Sequence, residues 1–345
     1  MNDYQLLSGC HGCASDYQAH DFNEMSSRHF DTLPRHHSYP TMMEFMLSNT
    51  CNLECVMCSG ELSSSIRKKR DKLPPIKTPY GQDFLRQLEE FIPYLKETRF
   101  SSAGEAFSID MNYDLWEMII EKNPSCKMVV QTNGTILNAR VKDFLERGNF
   151  IIGVSLDSCR KDVYESIRLN ASYVQVMSNI EFFSDYSKRH NRMFTISSCV
   201  MRQNWQELPD FIKFCNGMGA YATFHKVWSP LEYALYNLPA AKLRGIYAEL
   251  SAAILPADNR IERRNKEYYE YFISVIDSWA RGAMARDTEA ADFARLSASD
   301  MMIYVKSKIK TYIITNDMLE NDKQQLIEIC ESKLDSVLAL WMDEA

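Results

Sequence analysis

The sequence predicts an α/β protein: six parallel strands with helices packed outside them, curled into a partial (β/α)6 barrel, followed by an all-helical C-terminal region. Three observations carry this. Six short apolar runs recur between Met43 and Val227, each of strand rather than helix length. Longer segments with apolar residues at i, i+3 and i+4 spacing separate them. Beyond Pro239 the short runs stop and only the helical period remains. Strands that alternate with helices are read as parallel neighbours, because a parallel pair needs a crossover connection and a helix is the usual one.

In chain order, residues 1–40 show little periodicity, contain Pro34 and Pro40, and read as an extended N-terminal segment with the pair Cys10-His-Gly-Cys13. Strands are expected over 43–47, 99–102, 128–131, 150–156, 194–201 and 222–227. Between them helices are expected over 83–95, 112–122, 137–147, 172–189 and 205–218, several closed by a Gly just beyond. These make up a barrel domain of residues 41–230. The C-terminal region, 231–345, reads as helices over 242–255, 262–279, 288–296, 300–314 and 318–342.

Composition bounds the function. Hydrophobic residues at 46% and charged residues at 25% are ordinary for a soluble globular protein. No apolar run approaches the roughly 18 residues of a membrane span. A net charge of −7 offers no sequence-wide attraction for nucleic acid or anionic membrane, and the run Arg67-Lys68-Lys69-Arg70, followed by Asp71, reads as a solvated helix face. Ten cysteines with no charged n-region and apolar run at the N-terminus imply free thiols in a reducing cytoplasm.

The chemistry concentrates in Cys51-Asn-Leu-Glu-Cys55-Val-Met-Cys58, three thiols spaced x3 then x2 in one loop. Thiolates are the ligands of iron-sulfur clusters, and a four-iron cubane takes four of them. Three would leave one iron open to a reacting ligand. A structural zinc site would normally close with two cysteine pairs, and no second pair follows at finger spacing. In a parallel barrel, functional groups gather at the C-terminal ends of the strands, so the segments just after each apolar run matter most. They are Ser101-Ser-Ala-Gly104-Glu105-Ala106 after the second, Thr132-Asn133-Gly134 after the third and Gly153-Val-Ser155-Leu-Asp157 after the fourth. Strand alternation puts Ser155 and Asp157 on one face, two acceptors suited to a diol. Cys159 just beyond is a candidate thiol for substrate chemistry.

Residues 41–230 resemble the radical S-adenosylmethionine (SAM) superfamily, with the motifs in family order. The resemblance implies that Cys51, Cys55 and Cys58 hold a 4Fe-4S cluster whose open iron chelates SAM. Gly104 and Glu105 stand in a segment similar to the family's Gly-Gly-Glu-Pro motif, which binds the SAM amino group, although Ala103 and Ala106 replace its first glycine and its proline. Asn133 belongs to a turn like the family's Thr-Asn-Gly beneath the cofactor, and Ser155 and Asp157 to its ribose motif. Arg168 occupies the position that pairs with the SAM carboxylate, by a charge-assisted fork. Met57 and the backbone near Val200 occupy the adenine contacts. The Cys10/Cys13 pair resembles the end of an upstream twitch or SPASM-type cysteine region. It is half a metal site without the remaining cysteines, so one cluster is expected.

The residues alone give a cluster at the mouth of a parallel barrel; only the resemblance supplies SAM and the radical. It implies reductive cleavage of SAM to a 5′-deoxyadenosyl radical that abstracts hydrogen from a substrate, most simply a peptide or protein. A sugar, nucleoside or other small metabolite is the alternative substrate, and a non-catalytic cluster-bearing subunit the alternative class. An electron donor such as a flavodoxin or ferredoxin is implied; nucleic acid and membrane are not.

Overall fold

The computed structural model describes residues 38–101, 103–293, 297–315 and 323–328. Cys10, Cys13 and most of the helix expected over 318–342 lie outside these residues. All six expected strands are present: β1 Met42–Glu44, β2 Glu97–Phe100, β3 Lys127–Thr132, β4 Phe150–Ser155, β5 Phe194–Val200 and β6 Tyr221–Lys226. They form one fully parallel sheet in sequential order. Sequential parallel order with helical crossovers curls the sheet in one direction, giving the half-barrel the alternation predicts. β1 is shorter than expected. Its ladder ends once the Phe45 N–H has donated to Arg99 O at 2.8 Å, and the chain departs into the cysteine loop.

The crossover helices are α1 Ser64–Lys69, α2 Gln82–Leu88, α3 Asp110–Lys122, α4 Ala139–Arg147, α5 Lys161–Ile167, α6 Tyr173–Arg189 and α7 Leu208–Met218. α2 stops well short of the expected residue 95. Pro93 cannot donate within a helix and would clash with the carbonyl four residues back, so Ile92–Tyr94 forms a separate 3-10 turn. Asn138 caps α4 and Ser172 caps α6, each side chain accepting the N–H three residues on.

Every second strand residue faces these helices. Phe100, Met128, Val130, Ile152, Val154, Ile196 and Phe224 are buried in one apolar core with Ile119, Phe144, Phe183 and Phe211. Trp116 of α3 is completely buried among the rings of Phe100, Phe107, Tyr113 and Phe150. Full burial of such side chains is worth about 1.5–3 kcal/mol each for the aliphatic and phenyl groups. The alternate residues, among them Arg99, Gln131, Ser155 and Thr195, line the inner face and are only partly buried.

After β6 come α8 Ala240–Ser251, α9 Arg260–Phe293 and α10 Ala298–Thr315. α9 covers the open edge of β6. Asn265 accepts from the Ala222 N–H at 2.8 Å and donates to Ala220 O at 2.9 Å, and the Tyr268 hydroxyl meets Phe224 N and O at 3.3 and 3.1 Å. These side chains supply what a seventh strand would, and so block edge pairing. Residues 37–285 accordingly form one compact unit, while α10 lies in a second. α9 also corrects an expectation. The helix read over 262–279 runs on without a break into the one read from 288, as far as Phe293, because Gly282 costs only about 1 kcal/mol relative to Ala and neighbouring Ala280 and Ala283 are strong helix formers. Among the described residues no helix is long and apolar enough to cross a membrane.

Candidate active site

The cysteine loop is built by main-chain and side-chain bonds that precede any cofactor. Its N–H groups at Glu54 and Val56 donate to Leu169 O and Ile167 O at 3.1 and 3.0 Å, so the loop pairs with the segment leaving α5. Ser63 Oγ donates to Leu53 O at 2.7 Å, and Cys51 N–H donates to Ser64 Oγ at 3.1 Å. All three cysteines are free, with Cys55 buried and Cys51 and Cys58 half-buried. Burial pushes all three thiols up, Cys55 to about 12, and Cys51 adds to the shift at both Cys55 and Cys58.

A cluster fits these residues. Three thiols share one loop, the Cys51 sulfur already accepts from Leu53 N–H at 3.5 Å and Asn133 Nδ2 at 3.9 Å, and such donors are what cluster sulfurs take. The Arg168 cation favours ionisation of Cys55 and Cys58 against the burial that opposes it. Among the described residues no three His, Cys, Asp or Glu side chains converge on one metal ion. Cubane ligands bind separate irons and have no need to converge.

The loops after β2 and β3 are locked to the cysteine loop. Gly104 has φ +72, and a Cβ there would sit 2.8 Å from the carbonyls of Ser48 and Thr50; only glycine fits. Glu105 N–H donates to Thr50 O at 2.7 Å. The Glu105 carboxylate is buried and accepts from Thr132 Oγ1 and Asn133 N–H, both at 2.6 Å, and from Phe107 N–H at 3.2 Å. Burial raises its pKa even so, the donors opposing. Glu105 therefore braces the two loops together, and the free acceptor expected for an ammonium group is committed within the protein. Asn133 Nδ2 donates to Asn52 Oδ1 at 3.0 Å, while its own Oδ1 accepts from Thr135 N–H and Oγ1 at 2.9 and 2.6 Å.

Asp157 departs from the alternation that would place it beside Ser155. Its φ of +67 ends the extended run, turning the carboxylate to accept from Cys199 N–H at 2.7 Å. Ser155 remains on the inner face, accepting from Gln131 Nε2 at 2.7 Å. Arg168 Nε lies 2.8 Å from Asp157 Oδ2, both side chains buried. The N–H is not aligned on that oxygen, so this is a close ion pair rather than a hydrogen bond, and both atoms lack a hydrogen-bond partner. Burial works against the charge of Arg168, but Asp157 and Cys55 outweigh it and raise its pKa.

The remaining expected residues divide. Met57 packs beside Ile167, Met201 and Val227 with Cys199, an apolar wall next to the cysteine loop. The Val200 side chain is buried in the core, leaving only its backbone to meet a ligand. Cys159 is packed against the core, and burial followed by the carboxylates of Glu207 and Asp210 pushes its thiol to about 12. That shift disfavours the thiolate form that a nucleophilic role would need. Sequence reasoning missed Asn204, whose Nδ2 donates to Asp157 O and Cys199 O at 2.8 and 3.0 Å and so joins the ends of β4 and β5. It also missed Gln131, Asn52 and Ser64. Gln131 and Asn52 adjoin or lie within motifs; Asn204 gave no local signal.

A cysteine loop at the mouth of a parallel half-barrel, braced by the loops of the next strands, defines an enzyme of the radical SAM class. Residues 45–215 match the model of the Radical SAM superfamily, and the chain belongs to that family, whose cofactors are a 4Fe-4S cluster and SAM. It is 25% identical over 202 residues to the antilisterial bacteriocin subtilosin biosynthesis protein AlbA of Bacillus subtilis (strain 168), covering 57% of this chain and 42% of AlbA. It is 31% identical over 77 residues to a cysteine-type anaerobic sulfatase-maturating enzyme of Clostridium novyi (strain NT), covering 21% and 20%. A GTP 3',8-cyclase of Limosilactobacillus fermentum is 26% identical over 190 residues, covering 54% and 52%. Among solved structures, Streptococcus suis SuiB superposes with a TM-score of 0.45 at 14% identity over 62% of this chain and 46% of that one. The chain thus spans about half or less of the length of these curated relatives.

Proposed function

We propose that this radical SAM enzyme acts on a peptide or protein. The observation that carries the reading is the chemistry of the inner sheet face. Parallel register sets Gln131, Gly153 and Thr195 in one row and Ser155, Ser197 and Thr223 in the next. Gln131 Nε2 donates to Ser155 Oγ and Ser197 Oγ at 2.7 and 3.0 Å. Neutral donors and acceptors of this kind match amide groups. A nucleoside triphosphate would call for arginines or lysines turned to its phosphates, and the inward Arg99 is held by Glu97 at 2.7 Å. The similarity to AlbA and to a sulfatase-maturating enzyme supports the same substrate class; the cyclase supports a small-molecule one.

Cys51, Cys55 and Cys58 would hold the cluster, Arg168 would face the SAM carboxylate, and Met57 with the Val200 backbone would flank the adenine. When bound, the cofactors supply a one-electron cleavage of SAM and a radical that removes hydrogen from the substrate. The protein's own work is positional. The Glu105 and Asn133 bonds fix the loops around the cysteines, Asp157 and Asn204 fix the ends of β4 and β5, and the apolar wall by Met57 excludes water that would compete with the reacting groups.

The test uses anaerobically reconstituted protein with SAM, a reductant and short peptides encoded beside the gene. A peptide substrate raises 5′-deoxyadenosine formation above background and changes mass itself. Stimulation by nucleotides or sugars, with peptides leaving the rate at background, would overturn the reading.

A further inference from the structure

The basic run on α1 has a particular address: it lies against the cysteine loop. Besides the bonds of Ser63 and Ser64 described above, Arg70 Nη2 donates to the carbonyl oxygen of Cys58 at 2.6 Å. Residues 61–77 carry six basic and two acidic side chains in a chain whose net charge is −7. Neutralisation within the surface is partial. Lys69 pairs with Glu54 at 2.8 Å, Arg70 with Asp71 at 3.3 Å and Arg67 only loosely with Glu61 at 3.8 Å. Lys68 and Lys72 are exposed and make no ion pair among the described residues. The same stretch exposes three large apolar side chains, Leu62 at 41%, Leu73 at 46% and Ile76 at 46%.

We propose that this surface docks an acidic one-electron carrier protein that reduces the cluster. The proposal rests on the cluster's place at Cys51, Cys55 and Cys58 and goes beyond the substrate reading. Cleavage of SAM consumes an electron that must enter from outside the fold, and electron transfer weakens steeply with distance, so the carrier has to dock beside the cysteine loop. A few apolar side chains within a basic rim is the anatomy of a small, transient interface. Opposite charge speeds such encounters about 10-fold to 1,000-fold at low salt. Each encounter moves one electron: the carrier is oxidised by one, the cluster is reduced by one, and no atom is transferred. A phosphate polymer fits less well, since the rest of the chain is more acidic than its net charge.

The experiment uses the full-length, cluster-loaded protein and follows cluster absorbance by stopped flow. One reductant is reduced flavodoxin, an acidic carrier; the other is photoreduced 5-deazariboflavin, small and uncharged. Lys68→Glu/Lys72→Glu is expected to lower the second-order rate with flavodoxin about 10-fold at low salt. The deficit should largely vanish near 1 M salt, where the Debye length is about 3 Å. Reduction by deazariboflavin should be unchanged, and Lys68→Arg/Lys72→Arg should keep the unmodified rate. An unchanged flavodoxin rate would overturn the proposal. So would equal slowing with both reductants, or slower peptide modification when deazariboflavin supplies the electron, which would give the surface to the substrate. Absence of cluster absorbance in the unmodified protein would instead defeat the cluster assignment, a separate failure.

Discussion

Asp157 and Arg168 show how a single pair is constrained by what surrounds it. Asp157 is held by the Cys199 N–H and faces a guanidinium with almost no water access. Removing one partner of a buried pair leaves the other charge uncompensated, at about 3–5 kcal/mol. Asp157→Ala is therefore expected to lower stability by that amount in urea unfolding of the apoprotein, before any loss of SAM affinity is measured. A stability within about 0.5 kcal/mol of the unmodified protein would show that the two charges are solvated in solution. Cys159 offers a pH test. Its pKa is raised to about 12, so the neutral thiol persists as pH rises through the ordinary thiol range. Iodoacetamide at pH 8 should label Cys159 at least about 100-fold more slowly than a free cysteine, with the rate climbing about tenfold per pH unit up to pH 10. Mass-spectrometric quantification of the Cys159 peptide reads this directly; labelling at the free-thiol rate would restore it as a reactive group.

Among the elements, the loop after β2 bears the tightest steric requirement. At Gly104 a β-carbon would meet two backbone carbonyls at 2.8 Å in a left-handed conformation. Carbonyls in the cysteine loop cannot swing aside as a flexible side chain can, so Gly104→Ala must displace one loop from the other. The strained backbone alone costs of the order of 1–3 kcal/mol. A lower thermal midpoint with incomplete iron loading is expected on reconstitution; normal loading at an unchanged midpoint would show that the loops are not locked. The same loop is held by the Glu105 carboxylate, through Thr132 and Asn133, and by the left-handed conformation of Gly104.

For the whole molecule, the apolar core and the cysteine loop are separate structures. The core cluster contains Cys126 and Cys215 but none of the three loop cysteines. Replacing Cys51, Cys55 and Cys58 together by Ala should therefore abolish the cluster's visible absorption and about four irons per chain while the far-ultraviolet circular dichroism stays unchanged. Retained iron would relocate the cluster. Replacing Cys10 and Cys13 should leave the iron content as it was, and a loss close to four irons would reveal a second cubane.

The sequence by itself determined the six strands, their parallel order and the place of the cysteine loop, because period-2 and period-3.6 patterns and x3/x2 thiol spacing are local properties. It placed Gly104, Glu105, Asn133 and Arg168 at the mouth for the same reason, each following a strand or its helix. Their partners were not legible. That Glu105 spends its carboxylate on Thr132 and Asn133, that Asp157 turns away from Ser155 towards Cys199, and that Asn204 reaches back to Asp157 are contacts between residues 27 to 47 positions apart. The length of α9 and its cover over β6 were likewise settled by tertiary packing, which outweighs the small penalty of one glycine. Local pattern fixes which way a side chain leaves the backbone, and only the folded chain decides what stands there to meet it.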